Sequence, residues 1–61
     1  MGKILYNYNV LDITTMEYVC KNESLSTICE TIGIPRDKVA QYTETGYLYD
    51  RRYHITRVLV S

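Results

Sequence analysis

From residue 3 to residue 12 the side chains alternate. Ile4, Tyr6, Tyr8 and Val10 point one way, and Leu5, Asn7, Asn9 and Leu11 point the other. A period of two is the period of a strand. Asp12-Ile13-Thr14-Thr15 reads as a turn, because Asp and Thr side chains bond nearby backbone amides. Met16-Glu17-Tyr18-Val19-Cys20-Lys21 then alternates again, so residues 3–21 predict a β-hairpin. Asn22-Glu23-Ser24 breaks that pattern and the period changes. Ser24 is a good N-cap ahead of Leu25, Ile28, Cys29 and Ile32, which follow the i, i+3, i+4, i+7 spacing of a helix face with polar residues between them. Gly33 ends this helix, since glycine accepts the left-handed conformation there. Pro35 opens a second helix, where its missing N–H is harmless, and Ile34 takes the N-cap. Pro35, Val39 and Tyr42 share the inner face of that helix, and Thr43-Glu44-Thr45-Gly46 closes it. Tyr47-Leu48-Tyr49, a turn at Asp50-Arg51-Arg52, and Tyr53-His54-Ile55 predict a short hairpin or wing, continued as a strand through Thr56-Arg57-Val58-Leu59-Val60.

The expected fold class is therefore α+β: one domain over residues 1–61, a three-stranded antiparallel β-sheet packed on a helix-turn-helix pair in the order ββααβ. The hairpin covers 3–21, the helical pair 24–43 and the C-terminal hairpin or strand 47–60. The first strand is expected in the middle of the sheet, with the C-terminal strand beside it. Leu25, Ile28, Cys29, Ile32, Ile34, Val39, Tyr42 and Ile55 are the expected core.

The joint between the helices is only Gly33-Ile34-Pro35. Small Cys29 lets the second helix cross closely, Gly33 permits the reversal, Ile34 plugs the gap, and Val39 and Tyr42 seat the second helix. On these residues the stretch from Ser24 to Tyr42 resembles the helix-turn-helix family of DNA-binding modules, with Cys29 where Ala is commoner. The wider pattern is a Tyr-rich hairpin, a helical pair carrying Gly33, Ile34, Val39 and Tyr42, then Gly46, Tyr49, Arg52, Tyr53 and Ile55. It is similar to small phage and prophage proteins with a helix-turn-helix flanked by β-strands, a winged-helix-like arrangement. The resemblance implies a phage protein acting in the cytoplasm of a bacterial host.

In a unit of this kind the second helix enters the major groove with its N-terminal residues against base edges. That nominates Arg36, Lys38 and Gln41. Arg forks onto guanine O6 and N7, Gln pairs with adenine, and Lys reaches guanine or a phosphate. Arg51 and Arg52, on the wing, would meet phosphate or the minor groove. Charge supports the assignment. Residues 1–30 hold Lys3 and Lys21 against Asp12, Glu17, Glu23 and Glu30, a net −2. Residues 31–61 hold Arg36, Lys38, Arg51, Arg52 and Arg57 against Asp37, Glu44 and Asp50, a net +2. Asp37 opposes phosphate unless it reads cytosine or pairs locally, and a net charge of +0 keeps nonspecific affinity low. Double-stranded DNA is the expected partner of a regulatory module. A homodimer is expected with it, because one recognition helix gives little affinity, and the Tyr-rich hairpin or the Val58-Leu59-Val60 edge would form the contact.

The composition supports an alternative. There are seven Tyr, with no Phe and no Trp. Tyr6, Tyr8, Tyr18 and Tyr53 are candidate rigid anchors for a host protein. Asp12, Glu17, Glu23 and Glu30 would meet a basic groove that normally holds nucleic acid. Small phage proteins of similar build include inhibitors of host enzymes and anti-CRISPR proteins. The plainer expectation is that these Tyr line the sheet face packed on the helices.

Enzymatic chemistry is not expected. A chain of 61 residues supports one small core, which a substrate cavity would hollow out. The three glycines are isolated at 2, 33 and 46, so no phosphate-cradling loop exists. His54 is the single histidine, and Cys20 and Cys29 have no metal-ligand spacing. No catalytic residue, metal site or cofactor is assigned. The two cysteines read as reduced cytosolic thiols. No apolar run is long enough for a membrane span, and the N-terminus turns polar too early for a signal peptide.

Overall fold

A computed structural model describes residues 5–60. The chain runs β1 (Tyr6–Asp12), β2 (Glu17–Glu23), α1 (Leu25–Ile32), α2 (Arg36–Thr45) and β3 (Tyr53–Leu59). The strands form one antiparallel sheet in the order β2-β1-β3. The ββααβ architecture and the central first strand are as expected; predicted strand positions 3 and 4 lie outside the described residues.

The alternation along β1 decides which face meets the helices. Val10 is fully buried, opposite Ile55 of β3 on one side and Cys20 of β2 on the other. Ile28 of α1, Ile34 of the interhelical turn and Val39 of α2 close over them. Fully burying an Ile or Val side chain contributes about 1.5–3 kcal/mol. Five such positions, with Cys20 beside them, are most of what a domain this small has to offset its chain entropy. Of the expected core, Ile28, Ile34, Val39 and Ile55 are buried, and Leu25, Cys29, Ile32 and Tyr42 pack half-buried around them. Val10 and Cys20 lie at the centre without having been expected there. Periodicity assigns a face but not a distance from the middle of the sheet.

Local chemistry sets the element ends. Ser24 Oγ accepts a bond from Thr27 N at 3.3 Å, and Gly33, at φ 74°, donates its N–H to Cys29 O at 2.9 Å. Two boundaries differ from expectation. β2 continues through Asn22 and Glu23, because two register shifts interrupt its alternation while the pairing goes on. Asn side chains stand in for ladder bonds there: Asn9 Oδ1 accepts from Asn22 N at 2.7 Å, and Asn7 Nδ2 donates to Asn22 O at 3.2 Å. In the second helix, Pro35 rather than Ile34 is the N-cap, extended at φ −62° and ψ 141°, so helical backbone begins at Arg36. Ile34 then precedes the cap and shares the core with Val39, the arrangement of a hydrophobic staple that fixes the entry angle of the chain.

The wing is shorter than a hairpin. Tyr49 pairs with Tyr53 in a single bridge, closed by Arg52 N to Tyr49 O at 3.1 Å. Asp50 and Arg51 both have φ 55°, the left-handed pair of a primed turn. Only residues 47 and 48 separate the Gly46 cap from Tyr49, which leaves no length for a second strand arm.

Candidate nucleic-acid interface

The candidate interface lies on the outer side of α2. Val39 faces inward, with Tyr42 and Thr43 half-buried beside it. At 100° per residue the opposite stripe carries Asp37, Gln41 and Glu44, and Arg36 and Lys38 lie on its two flanks. All five are exposed. Arg36 is tethered sideways, its Nη1 donating to Ser26 Oγ of α1 at 3.3 Å. Lys38 and Gln41 make no side-chain hydrogen bond or ion pair among the described residues. Asp37 likewise has no cationic partner among them and sits in the first turn, where its charge offsets the positive end of the helix. This exposed face is therefore mixed in sign. Two cations bracket a polar stripe with an acid at each end.

The wing separates the two arginines expected there. Arg51 is exposed at the tip of the turn, in a backbone conformation uncommon for so large a side chain. Arg52 turns back: its Nε donates to Asp12 Oδ2 at 2.7 Å, and its guanidinium lies 5.3 Å from the centre of the Tyr53 ring. Asp12 is 4% exposed and is the buried charged residue among the described residues. Its carboxylate also accepts from Thr14 Oγ1 at 2.6 Å and Thr14 N at 2.9 Å. The Thr14 hydroxyl foremost, then Arg52, hold this carboxyl below its usual range against the opposing effect of burial. Asp12 raises the Arg52 guanidinium in return. Arg52 is thus a brace for the wing, and Arg51 is the cation it leaves outward.

A second link ties the wing to the interhelical turn. Tyr49 Oη donates to Gly33 O at 3.2 Å, and its ring meets Tyr42 edge-on with centres 5.5 Å apart. Sequence reasoning had no role for Tyr49, Thr14 or Ser26 in the site. Thr14 had a local signal in its Asp-x-Thr spacing, whereas Tyr49 and Ser26 act across distances that no local pattern encodes.

The four tyrosines weighed as protein anchors do not make one platform. Tyr8 and Tyr53 are half-buried against the core. Tyr6 lies on the same side, its ring 4.7 Å under the Arg57 guanidinium. Tyr18 is 54% exposed, stands opposite Leu11 across β1–β2 on the face away from the helices, and has Lys21 5.7 Å from its ring centre.

Among the described residues no three His, Cys, Asp or Glu side chains converge as metal ligands, there is no ligand-sized cavity, and no helix is long and apolar enough to cross a membrane. Cys20 is buried and Cys29 half-buried, both as free thiols. No family model matches the chain, and neither the curated proteins nor the solved structures include a match to it.

Proposed function

We propose that this chain is a small sequence-specific double-stranded DNA-binding regulatory module, with α2 as the reading helix and the Asp50-Arg51 turn as its wing. One observation carries the reading. The three-residue turn, plugged by an Ile34 that is 2% exposed, seats α2 on Val39 and leaves its outer face exposed, with Arg36, Lys38 and Gln41 free of the core. A helix presented this way suits the major groove, and the exposed Arg51 at the tip of the tethered wing supports a contact to a flanking phosphate. Asp37, with no ion-pair partner among the described residues, is matched to the N4 amino group of cytosine. Affinity then rests on base contacts more than on bulk charge, since the chain is neutral overall.

The test is selection of bound sequences from randomised duplexes, followed by titration of the selected duplex at rising salt. The reading expects one preferred sequence and a logarithmic salt slope of about −2 to −3, the mark of two or three phosphates neutralised. Failure to bind any duplex at low salt ends it. Stoichiometric capture of a host protein, as by an anti-defence inhibitor, would then be the better account, with the 54% exposed Tyr18 as its anchor.

A further inference from the structure

The two edges of the sheet are built differently. β2 is interrupted by two register shifts, holds Asn22 at φ 55°, and carries Glu17, Lys21 and Glu23. Bulges and charges of this kind keep an edge from pairing with another chain. β3 has none of those shifts. Its register against β1 is unbroken from Tyr53 to Leu59, and Arg57 is the single Lys, Arg, Asp or Glu in that run.

The phase of its backbone follows from two bonds, Ile13 N to Arg52 O at 2.9 Å and Val60 N to Leu5 O at 3.0 Å. Even-numbered residues of β3 turn their amides toward β1, and odd-numbered ones turn them outward. Tyr53 is occupied by Tyr49, and Ile55 is buried. Arg57 and Leu59 remain, with N–H and C=O directed at the open edge. Around them the surface is apolar: Leu59 is 64% exposed, Val60 47%, Leu5 52% and Tyr6 38%.

We propose that a second copy of this chain occupies this edge, β3 against β3 in antiparallel fashion, giving one continuous six-stranded sheet across a twofold axis at Val58. Charge disfavours the neighbouring register. An axis at Arg57 sets two guanidiniums directly opposite each other, which is unfavourable. An axis at Val58 sets each Arg57 opposite the second copy's Leu59 and leaves its guanidinium over its own Tyr6 ring. Arg57 and Leu59 of the two copies then exchange both of their outward backbone bonds. Val58 meets the second copy's Val58 as a non-hydrogen-bonded pair, with Cα atoms about 4.5 Å apart. The neutral chain does not oppose the meeting of identical surfaces. The contact is short, so the dimer is a weak one that forms with concentration.

This proposal does not rest on DNA binding, and its experiment contains no DNA. Sedimentation equilibrium of the full chain, from roughly 10 µM to roughly 1 mM, is expected to show a mass rising from 7.2 kDa toward twice that value. Leu59→Lys, at an exposed position, is expected to keep the circular dichroism spectrum of the parent and weaken association at least tenfold. Val58→Cys is expected to cross-link to itself on mild oxidation, since about 4.5 Å between Cα atoms suits a disulfide. The parent, with only its native thiols, is expected not to cross-link. A monomer at every concentration, association unchanged by Leu59→Lys, no Val58→Cys cross-link, or assembly beyond two copies would each overturn the proposal.

Discussion

Asp12 Oδ2 and Arg52 Nε lie 2.7 Å apart although 40 residues separate them in the chain. The pair spans two turns: Asp12 ends β1 just before the β1–β2 turn, and Arg52 closes the wing just before β3. A backbone bond, Ile13 N to Arg52 O at 2.9 Å, runs beside it. One end of the sheet is thereby fastened by a charge pair, and Arg51 projects from the fastened turn.

Acid should loosen this end. The folded-state pKa of Asp12 lies below its unfolded value, with Thr14 the foremost cause and Arg52 another. The stabilisation it brings is complete above the unfolded pKa, near 3.9, and fades as the pH falls through the lower folded value. Thermal melts of the parent from about pH 7 down to about pH 2 should lose Tm most steeply below the ordinary carboxylate range. Asp12→Asn should melt lower at neutral pH and show a flatter acid limb. Equal acid slopes for the two would remove the ion pair from the account.

Ile28 is completely buried between the helices and the sheet. Ile28→Ala should destabilise by about 2–5 kcal/mol, the range for such a cavity, which is most of the stability of a domain this size. Ile28→Asp adds an unpaired buried charge and should leave the chain unfolded by circular dichroism. A cooperative native melt for Ile28→Asp would place α1 elsewhere.

Arg36 and Lys38 are exposed and hold nothing in the core together. Arg36→Ala combined with Lys38→Ala should therefore change stability by no more than about 0.5 kcal/mol. The same variant should lose duplex binding. Asp37→Asn should retain binding but change the preferred base at one position. Duplex binding by the double variant at parental strength would show that α2 is not the reading helix.

Gly33 sits at φ 74°, and a Cβ placed on it would meet nothing within 4 Å. The obstacle to a side chain is thus backbone conformation rather than space. Gly33→Ala should destabilise by about 1–2 kcal/mol. A synthetic chain with D-Ala at this position should be stabilised by about 0.4–1 kcal/mol, since the D residue accepts that φ without strain and orders the unfolded chain. Urea denaturation of the three proteins checks the sign of both effects.

The elements were legible in the sequence because their causes are local. Ser24 at a cap, Gly33 at a left-handed end, the four-residue apolar face of α1 and the alternation of β1 each act over a few residues. Wherever a tertiary contact outweighed the local rule, the sequence reading stopped short. Asn7 and Asn9 carry β2 past the point where its alternation fails, and Ile34 is drawn into the core while Pro35 takes the cap.

Read alone, the chain determined its element order, its single short helical joint and where its cations fall along the helices and the wing, because period, caps and charge are properties of neighbouring residues. Only the tertiary structure decided that Arg52 faces Asp12 while Arg51 faces outward, that Tyr8 and Tyr53 join the core while Tyr18 does not, and that of the two edge strands β3 pairs in unbroken register while β2 is bulged. Those outcomes depend on which strands lie side by side and in what register. Pairing across tens of residues is set by the packing of the whole core, which no local stretch of sequence encodes.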